Sequence, residues 1–436
     1  MTRLTHDAVY EYMDGVCFKK GPPGTVGVET EWLVVDPADP AADVSLDRVR
    51  DLMTAAGPLP AGSRLTFEPG GQLELSSRPQ SGPAAACRAM HADLTYTRRR
   101  LAGGGLALRG IGIDPHRAPL LQETAERYTC MSAYFGAKGL PMMCSTASLQ
   151  VCLDIGADQA DAIERWRLAH ALGPMLVAAF ANSPVHTGRR TGLRSTRQAL
   201  WGGLDPPRTF PVRVGSTGVP GVPGVPGVPG APATAPASPE HLEDPAAAWA
   251  RYALAAPMML MRDGRGGWIP NPGLTFGEWL DKGEPTVEDL SYHLSTLFPP
   301  VRPRGWLELR MIDALPDPYW PVPVAVAAAL LDDPVAAEVA RAAVAPCAER
   351  WTEACRDALT DPLLARAAKT CFAAARAALE RQGAAPLAGL VDEYAERYVE
   401  RGRCPADDVI DPIDHPAMSA QMPDPIEEEL SWLSRN

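Results

Sequence analysis

Two glutamates stand two residues apart in Gly27-Val28-Glu29-Thr30-Glu31-Trp32-Leu33-Val34-Val35, an alternating, β-branched run that predicts a strand. Side chains at i and i+2 share one side of the pleat, so Glu29 and Glu31 are expected to point together. Two negative charges about 6 Å apart repel by roughly 3 kcal/mol at an effective dielectric of about 20. A fold keeps such a pair when a cation lies between them. The pattern recurs in Phe67-Glu68-Pro69-Gly70-Gly71-Gln72-Leu73-Glu74-Leu75 and in Trp306-Leu307-Glu308-Leu309-Arg310. Glu29, Glu31, Glu68, Glu74 and Glu308 therefore predict a shared wall of oxygen donors, suited to Mg²⁺ or Mn²⁺. Arg310, on the same strand face as Glu308, puts a positive group beside that wall. Phosphoryl transfer wants this arrangement, because it relies on metal and on fixed cations to hold developing charge. Strand-end salt bridges are the structural alternative.

A second group follows Asn182-Ser183-Pro184. In Arg194-Ser195-Thr196-Arg197-Gln198-Ala199-Leu200-Trp201 the two arginines are one helical turn apart and could fork onto a substrate carboxylate, with Trp201 walling the pocket. Arg127 with Tyr128 is a similar candidate. A solvated basic face is the competing reading. No Gly-x-x-x-x-Gly-Lys-Ser/Thr loop and no Gly-x-Ser-x-Gly elbow occurs, and His170, on a helix, reads as a core histidine. These absences favour metal-assisted electrostatics over nucleophilic catalysis. Nine cysteines show no Cys-x-x-Cys pair, which argues against a zinc site or a disulfide framework.

The elements that must position these groups form a large chain of 436 residues with net charge −12, unlike the basic footprint of a nucleic-acid binder. The first residues lack a secretory apolar core and no apolar run is long enough to span a bilayer, so a soluble cytoplasmic protein is expected. Helices are predicted near 5–14, 46–56, 81–101, 158–181, 244–256 and 286–297, and alanine-rich helices over 322–401 as an outer layer. Pro69-Gly70-Gly71 predicts a tight turn or bulge inside the segment from Glu68 to Glu74. The run from Cys144 to Asp154 returns to period two, with Ser148, Gln150 and Cys152 on one face. Four copies of Gly-Val-Pro followed by Gly-Ala-Pro begin at 218, and the biased stretch runs to 239; such repeats cannot supply a backbone ladder and predict a disordered insert. Because motifs resume after it, one catalytic domain over 1–404 is expected, followed by an acidic, proline-broken tail over 405–436.

Taken in order, Gly27-Val-Glu-Thr-Glu-Trp, Glu68-Pro-Gly-Gly-Gln-Leu-Glu-Leu-Ser-Ser77, Ser145-Thr-Ala-Ser-Leu-Gln-Val, Asn182-Ser-Pro, Arg194 to Trp201 and Leu307-Glu-Leu-Arg-Met-Ile-Asp313 resemble the plant and actinobacterial branch of the glutamate-cysteine ligases, most of all its ergothioneine-pathway members. The resemblance spans about residues 25–315. It implies an α+β, glutamine-synthetase-like fold in which a curved, mainly antiparallel sheet forms a funnel with helices outside. It makes Glu29, Glu31, Glu68, Glu74 and Glu308 metal-site acids, with Glu74 and Arg310 catalytic and Arg310 and Gln150 on the nucleotide side. Gln150 stands where the proteobacterial branch places a histidine. The implied reactants are ATP, L-glutamate and L-cysteine with Mg²⁺ or Mn²⁺, giving γ-glutamylcysteine. The rivals are a ligase of the same family with another amine acceptor, a two-carboxylate glycosidase, and a non-catalytic binding protein organised by the repeat loop.

Overall fold

The computed structural model describes residues 4–55, 57–213, 244–262 and 267–414. The insert expected at 218–239 and the tail beyond 414 lie outside the described residues.

Eight strands make one sheet: β1 Thr25–Val35, β2 Arg64–Phe67, β3 Leu73–Ser76, β4 Gln80–Ser81, β5 Ala107–Arg109, β6 Ser148–Asp154, β7 Val301–Pro303 and β8 Trp306–Asp313. The order is β7-β8-β6-β1-β3-β2, with β4 and β5 also paired to β1. Every one of these ladders is antiparallel, so the chain is α+β with an open antiparallel sheet.

Alternation in the sequence gives the sheet two unlike faces. Val26, Val28, Thr30 and Trp32 of β1, Leu73 and Leu75 of β3, Leu149, Val151 and Leu153 of β6, and Leu307 and Leu309 of β8 are all buried. This face packs on helices α1 Gly82–Gly103, α2 Gln159–Ala179 and α4 Pro321–Asp332; α3, Thr196–Leu204, packs against β8 instead. Helix α4 was expected in an outer layer. Its sequence from Pro321 to Leu331 is apolar all round and wholly buried, as a helix covered on every side must be. The covering is supplied by α5, Pro362–Arg381, and by the helix Ala385–Arg397.

Of the tight turn or bulge expected at the Pro-Gly-Gly, the turn is what forms: it joins β2 and β3 as a hairpin in which Phe67 faces Leu73. Gly71 N–H donates to the Glu68 carbonyl at 2.8 Å, and Gly71 has φ +88°, a value that favours glycine. At Gly70 an added Cβ would lie 2.1 Å from the Cys144 carbonyl oxygen. The segment expected as a strand from Cys144 begins instead as the end of a helix, Gly139–Ser145, where Thr146 Oγ1 donates to the Met142 carbonyl at 2.5 Å. The helix Pro405–Asp414 buries Ala406, Asp407 and Ile410, so the packed body continues past residue 404. Among the described residues no helix is long and apolar enough to cross a membrane.

Gly70→Ala must displace backbone and is expected to destabilise by about 1–3 kcal/mol. At Gly21 an added Cβ meets nothing within 4 Å, and Gly21→Ala should be neutral. Chemical-denaturation midpoints check this; equal midpoints for the two variants would contradict it.

Candidate active site

The other face of the sheet carries the polar groups, and antiparallel register decides which of them meet. Glu31 of β1 lies opposite Glu74 of β3, and Glu29 lies opposite Gln150 of β6. Glu308 of β8 lies opposite Cys152 of β6 on one side and Arg302 of β7 on the other. Glu68 joins them from the hairpin turn. One carboxylate oxygen from each of Glu31, Glu68 and Glu74 lies within 4.8 Å of the others, and a second group of the same span contains Glu29, Glu308 and Cys152 Sγ. The five acids are thus brought together as two adjoining clusters. Glu29, Glu31, Glu68 and Glu74 line a cleft of about 770 Å³, together with Gln150, Arg302 and Arg310.

Hydrogen bonds hold the clusters. Glu31 accepts from Ser148 N–H at 2.7 Å, from Ser148 Oγ at 2.8 Å and from Gln150 Nε2 at 3.1 Å. Glu74 Oε1 accepts from Thr66 Oγ1 and Ser76 Oγ, both at 2.9 Å. Arg302 Nε and Arg310 Nη1 both donate to Glu308 Oε2, at 2.6 and 3.1 Å. The same Arg310 nitrogen donates to Gln150 Oε1 at 2.7 Å, so Gln150 links Arg310 to Glu31. A register shift between Leu309 and Ile312 falls at Arg310, within β8.

The charges respond to this crowding. Burial, then Glu308 and Glu74, push the Glu29 carboxyl up to about 8. Burial followed by Glu74 and Glu31 drives Glu68 well above the usual carboxylate range, and burial also raises Glu31. Glu308 goes the other way: against the opposing effect of burial, Arg302 and Arg310 hold it near its lower limit, at about 2. The two clusters therefore differ in how their negative charge is met.

Of the remaining residues singled out in the sequence, Trp201, Arg127 and Tyr128 line the cleft. The Arg310 guanidinium lies 6.0 Å from the Trp201 ring, and Arg127 donates to the Ser295 hydroxyl and carbonyl, each at 2.9 Å. Arg194 and Arg197 do not fork onto a common point. Arg194 Nε donates to Asp407 at 2.7 Å. Arg197 is buried, lies 3.7 Å from Asp313, and donates to the Arg310 carbonyl at 2.7 Å. Desolvation forces a buried guanidinium to take fixed partners, so Arg197 braces the strand that carries Arg310. His170 is neutral, its pKa lowered to about 4 by burial, and its Nδ1 meets the Trp166 carbonyl at 2.8 Å. Sequence reasoning missed Arg302; the signal was there in Val301-Arg302-Pro303-Arg304, a short strand whose polar residue must face that of its hairpin partner.

A cleft walled by acids and guanidinium groups, set on a rigid sheet, defines an enzyme that handles small anionic molecules. The family follows from comparison with known proteins. The model of the glutamate-cysteine ligase family 2 (GCS2) matches residues 25–222 and 226–428, and the chain belongs to that family. It is 41% identical over 419 residues to the glutamate-cysteine ligase EgtA of Mycobacterium tuberculosis strain H37Rv, covering 93% of this chain and 90% of the relative. The EgtA of Mycolicibacterium smegmatis is 42% identical over 410 residues, covering 90% of this chain and 88% of the relative. The chloroplastic glutamate-cysteine ligase of Arabidopsis thaliana is 29% identical, covering 84% of this chain and 69% of the relative.

Glu29 binds its proton more tightly in the folded chain, so between 4.5 and about 8 the folded state holds the extra proton and stability falls as pH rises through that window. Glu308 has the opposite sign, contributing stability above 4.5 that is lost as pH falls toward about 2. In the presence of EDTA the melting temperature should drop from about pH 5 to about pH 8, and Glu29→Gln should flatten that drop. Parallel curves for the two proteins would contradict the assignment.

Proposed function

We propose that this chain joins the γ-carboxylate of L-glutamate to the amine of L-cysteine, using ATP and giving γ-glutamylcysteine, ADP and phosphate. The observation that carries the proposal is the gathering of five carboxylates, four from one sheet face and Glu68 from the hairpin turn, beside the Arg302 and Arg310 guanidinium groups, in a chain of this family. We read the product as the first intermediate of ergothioneine synthesis, as the resemblance implies.

The acids fit divalent cations. Glu308 is fully buried and its Oε1 accepts no hydrogen bond, while burial first and neighbouring carboxylates second drive Glu29 and Glu68 toward the protonated state. Glu31, Glu68 and Glu74 would hold one ion through oxygen alone, which suits Mg²⁺ or Mn²⁺, and Glu29 and Glu308 would hold another. Bound there, the ions would screen the ATP phosphates from the acid wall.

The residues themselves do the positioning. Arg310, fixed by Gln150 and Glu308, holds the charge that builds on the γ-phosphoryl group as an oxygen of the substrate carboxylate attacks phosphorus and ADP leaves. Arg302 supports it from the neighbouring strand, and Glu74, fixed by Thr66 and Ser76, keeps the opposite side of the cleft in place. The acyl phosphate is then attacked by the cysteine amine; a carbon–nitrogen bond forms, phosphate leaves with the carbon–oxygen electron pair, and the nitrogen gives up a proton. No protein nucleophile is required. Arg127, with Tyr128 and Trp201, lies at the part of the cleft suited to the glutamate α-carboxylate. A glycosidase pair would need no arginine on its acid, whereas Arg302, Arg304 and Arg310 all lie within ion-pair distance of Glu308.

Arg310→Ala should lower kcat for ADP release by about 10²–10³-fold. Arg194→Ala, whose guanidinium donates to Asp407, should leave turnover within about twofold. Coupled ADP assays with glutamate, cysteine, ATP and Mg²⁺ measure both; no ADP release by the unaltered chain would defeat the proposal.

A further inference from the structure

Strand β6 presents one group that the proposed reaction does not use. Cys152 sits directly between Glu308 on β8 and Gly27 on β1, and its Sγ lies within 4.8 Å of carboxylate oxygens of both Glu29 and Glu308. Gly27 has no side chain to fill the space: a Cβ there would come to 3.1 Å from Cys152 Cβ. Across the pair, Glu308 is fully buried, and its Oε1 accepts no hydrogen bond although Arg304 Nη1 lies 3.7 Å away. A thiol and two carboxylates at this spacing, the buried one with an oxygen that accepts no hydrogen bond, form a mixed sulfur and oxygen donor set. Glu31, Glu68 and Glu74, by contrast, offer oxygen alone.

We propose that Cys152 is a metal-selecting residue, whose sulfur coordinates the cation held by Glu29 and Glu308 and tilts that position toward thiophilic divalent ions while the Glu31, Glu68 and Glu74 position stays suited to Mg²⁺. The inference rests on the reading that these acids hold cations. Coordination breaks the S–H bond, sends the proton to solvent and forms a sulfur–metal bond, with no change in oxidation state. A soft donor strengthens binding of Co²⁺, Zn²⁺ or Cd²⁺ far more than of Mg²⁺, which prefers hard oxygen and keeps its water. The two cation positions of one cleft then differ in chemistry, and one of them is open to capture by a thiophilic ion.

The test uses the full chain under reducing conditions, with Co²⁺ as the probe. Uptake is followed by calorimetry, and sulfur ligation by the near-ultraviolet sulfur-to-cobalt charge-transfer band. The unaltered chain should take up Co²⁺ and show the band. Cys152→Ser and Cys152→Ala should still take up Co²⁺ at the oxygen-only position, lose the band, and lose at least about tenfold in the preference for Cd²⁺ over Mg²⁺. Two variants guard against a failure to fold, which circular dichroism reports, and Glu308→Gln should weaken the band in the unaltered-cysteine background. Co²⁺ uptake without a band, or a band that survives in both Cys152 variants, overturns the role of Cys152 while leaving the acids as cation holders. No Co²⁺ uptake by the unaltered chain overturns that underlying reading and this proposal with it.

Discussion

Strand register is the constraint on which the site depends. With Glu31 opposite Glu74 and Glu29 opposite Gln150, the acids cannot move apart without moving the ladder. The ladder is locked by its other face, where Val28, Leu75, Val151 and Leu309 are packed beneath helices. A slip of one residue would turn these apolar side chains into the cleft and drive glutamates into the helical layer. Hydrophobic burial on one side thereby holds a repulsive arrangement on the other, and the repulsion is available as binding energy for whatever positive charge enters.

Positive charge within the fold is unevenly shared. Arg302 and Arg310 both converge on Glu308, and among the described residues no lysine or arginine forms an ion pair with Glu29, Glu31, Glu68 or Glu74. The Glu31, Glu68 and Glu74 cluster is stabilised instead by the hydroxyls of Thr66, Ser76 and Ser148 and by the Ser148 amide. Neutral donors orient a carboxylate without cancelling its charge, which keeps the cluster receptive to a cation. Arg197 and Asp313 lie behind this arrangement, the latter accepting from Ser183 and Ser195. They fix the end of β8 and so the direction in which Arg310 points.

Much of this was legible in the residues. Period-two alternation identified β1 and β8, and the i, i+2 rule assigned Glu29, Glu31, Glu308 and Arg310 to single faces before any pairing was known. What alternation cannot supply is which strand lies beside which. The placement of Arg302 against Glu308 arises from a β7–β8 hairpin whose first strand is only Val301–Pro303, too short to announce itself. Arg194 and Arg197 misled for a related reason. Spacing on a helix says which residues share a face but not what that face meets, and here it meets Asp407 and Asp313. The hairpin turn at Pro69 to Gly71 was recognised as a break, while its consequence, that Glu68 enters the site from a loop, depended on the close approach of Gly70 to the Cys144 backbone.

If crowding keeps several of these glutamates protonated, then cation binding must expel their protons. Calorimetric titration of Mn²⁺ into the full chain at about pH 7, repeated in buffers of different ionisation enthalpy, counts the protons released per ion bound. The account predicts release of at least about one proton per chain, since Glu29 is pushed up to about 8 and Glu68 well above its usual range. Binding with no buffer dependence would mean that the acids are already ionised before the ion arrives and that crowding does not hold their protons.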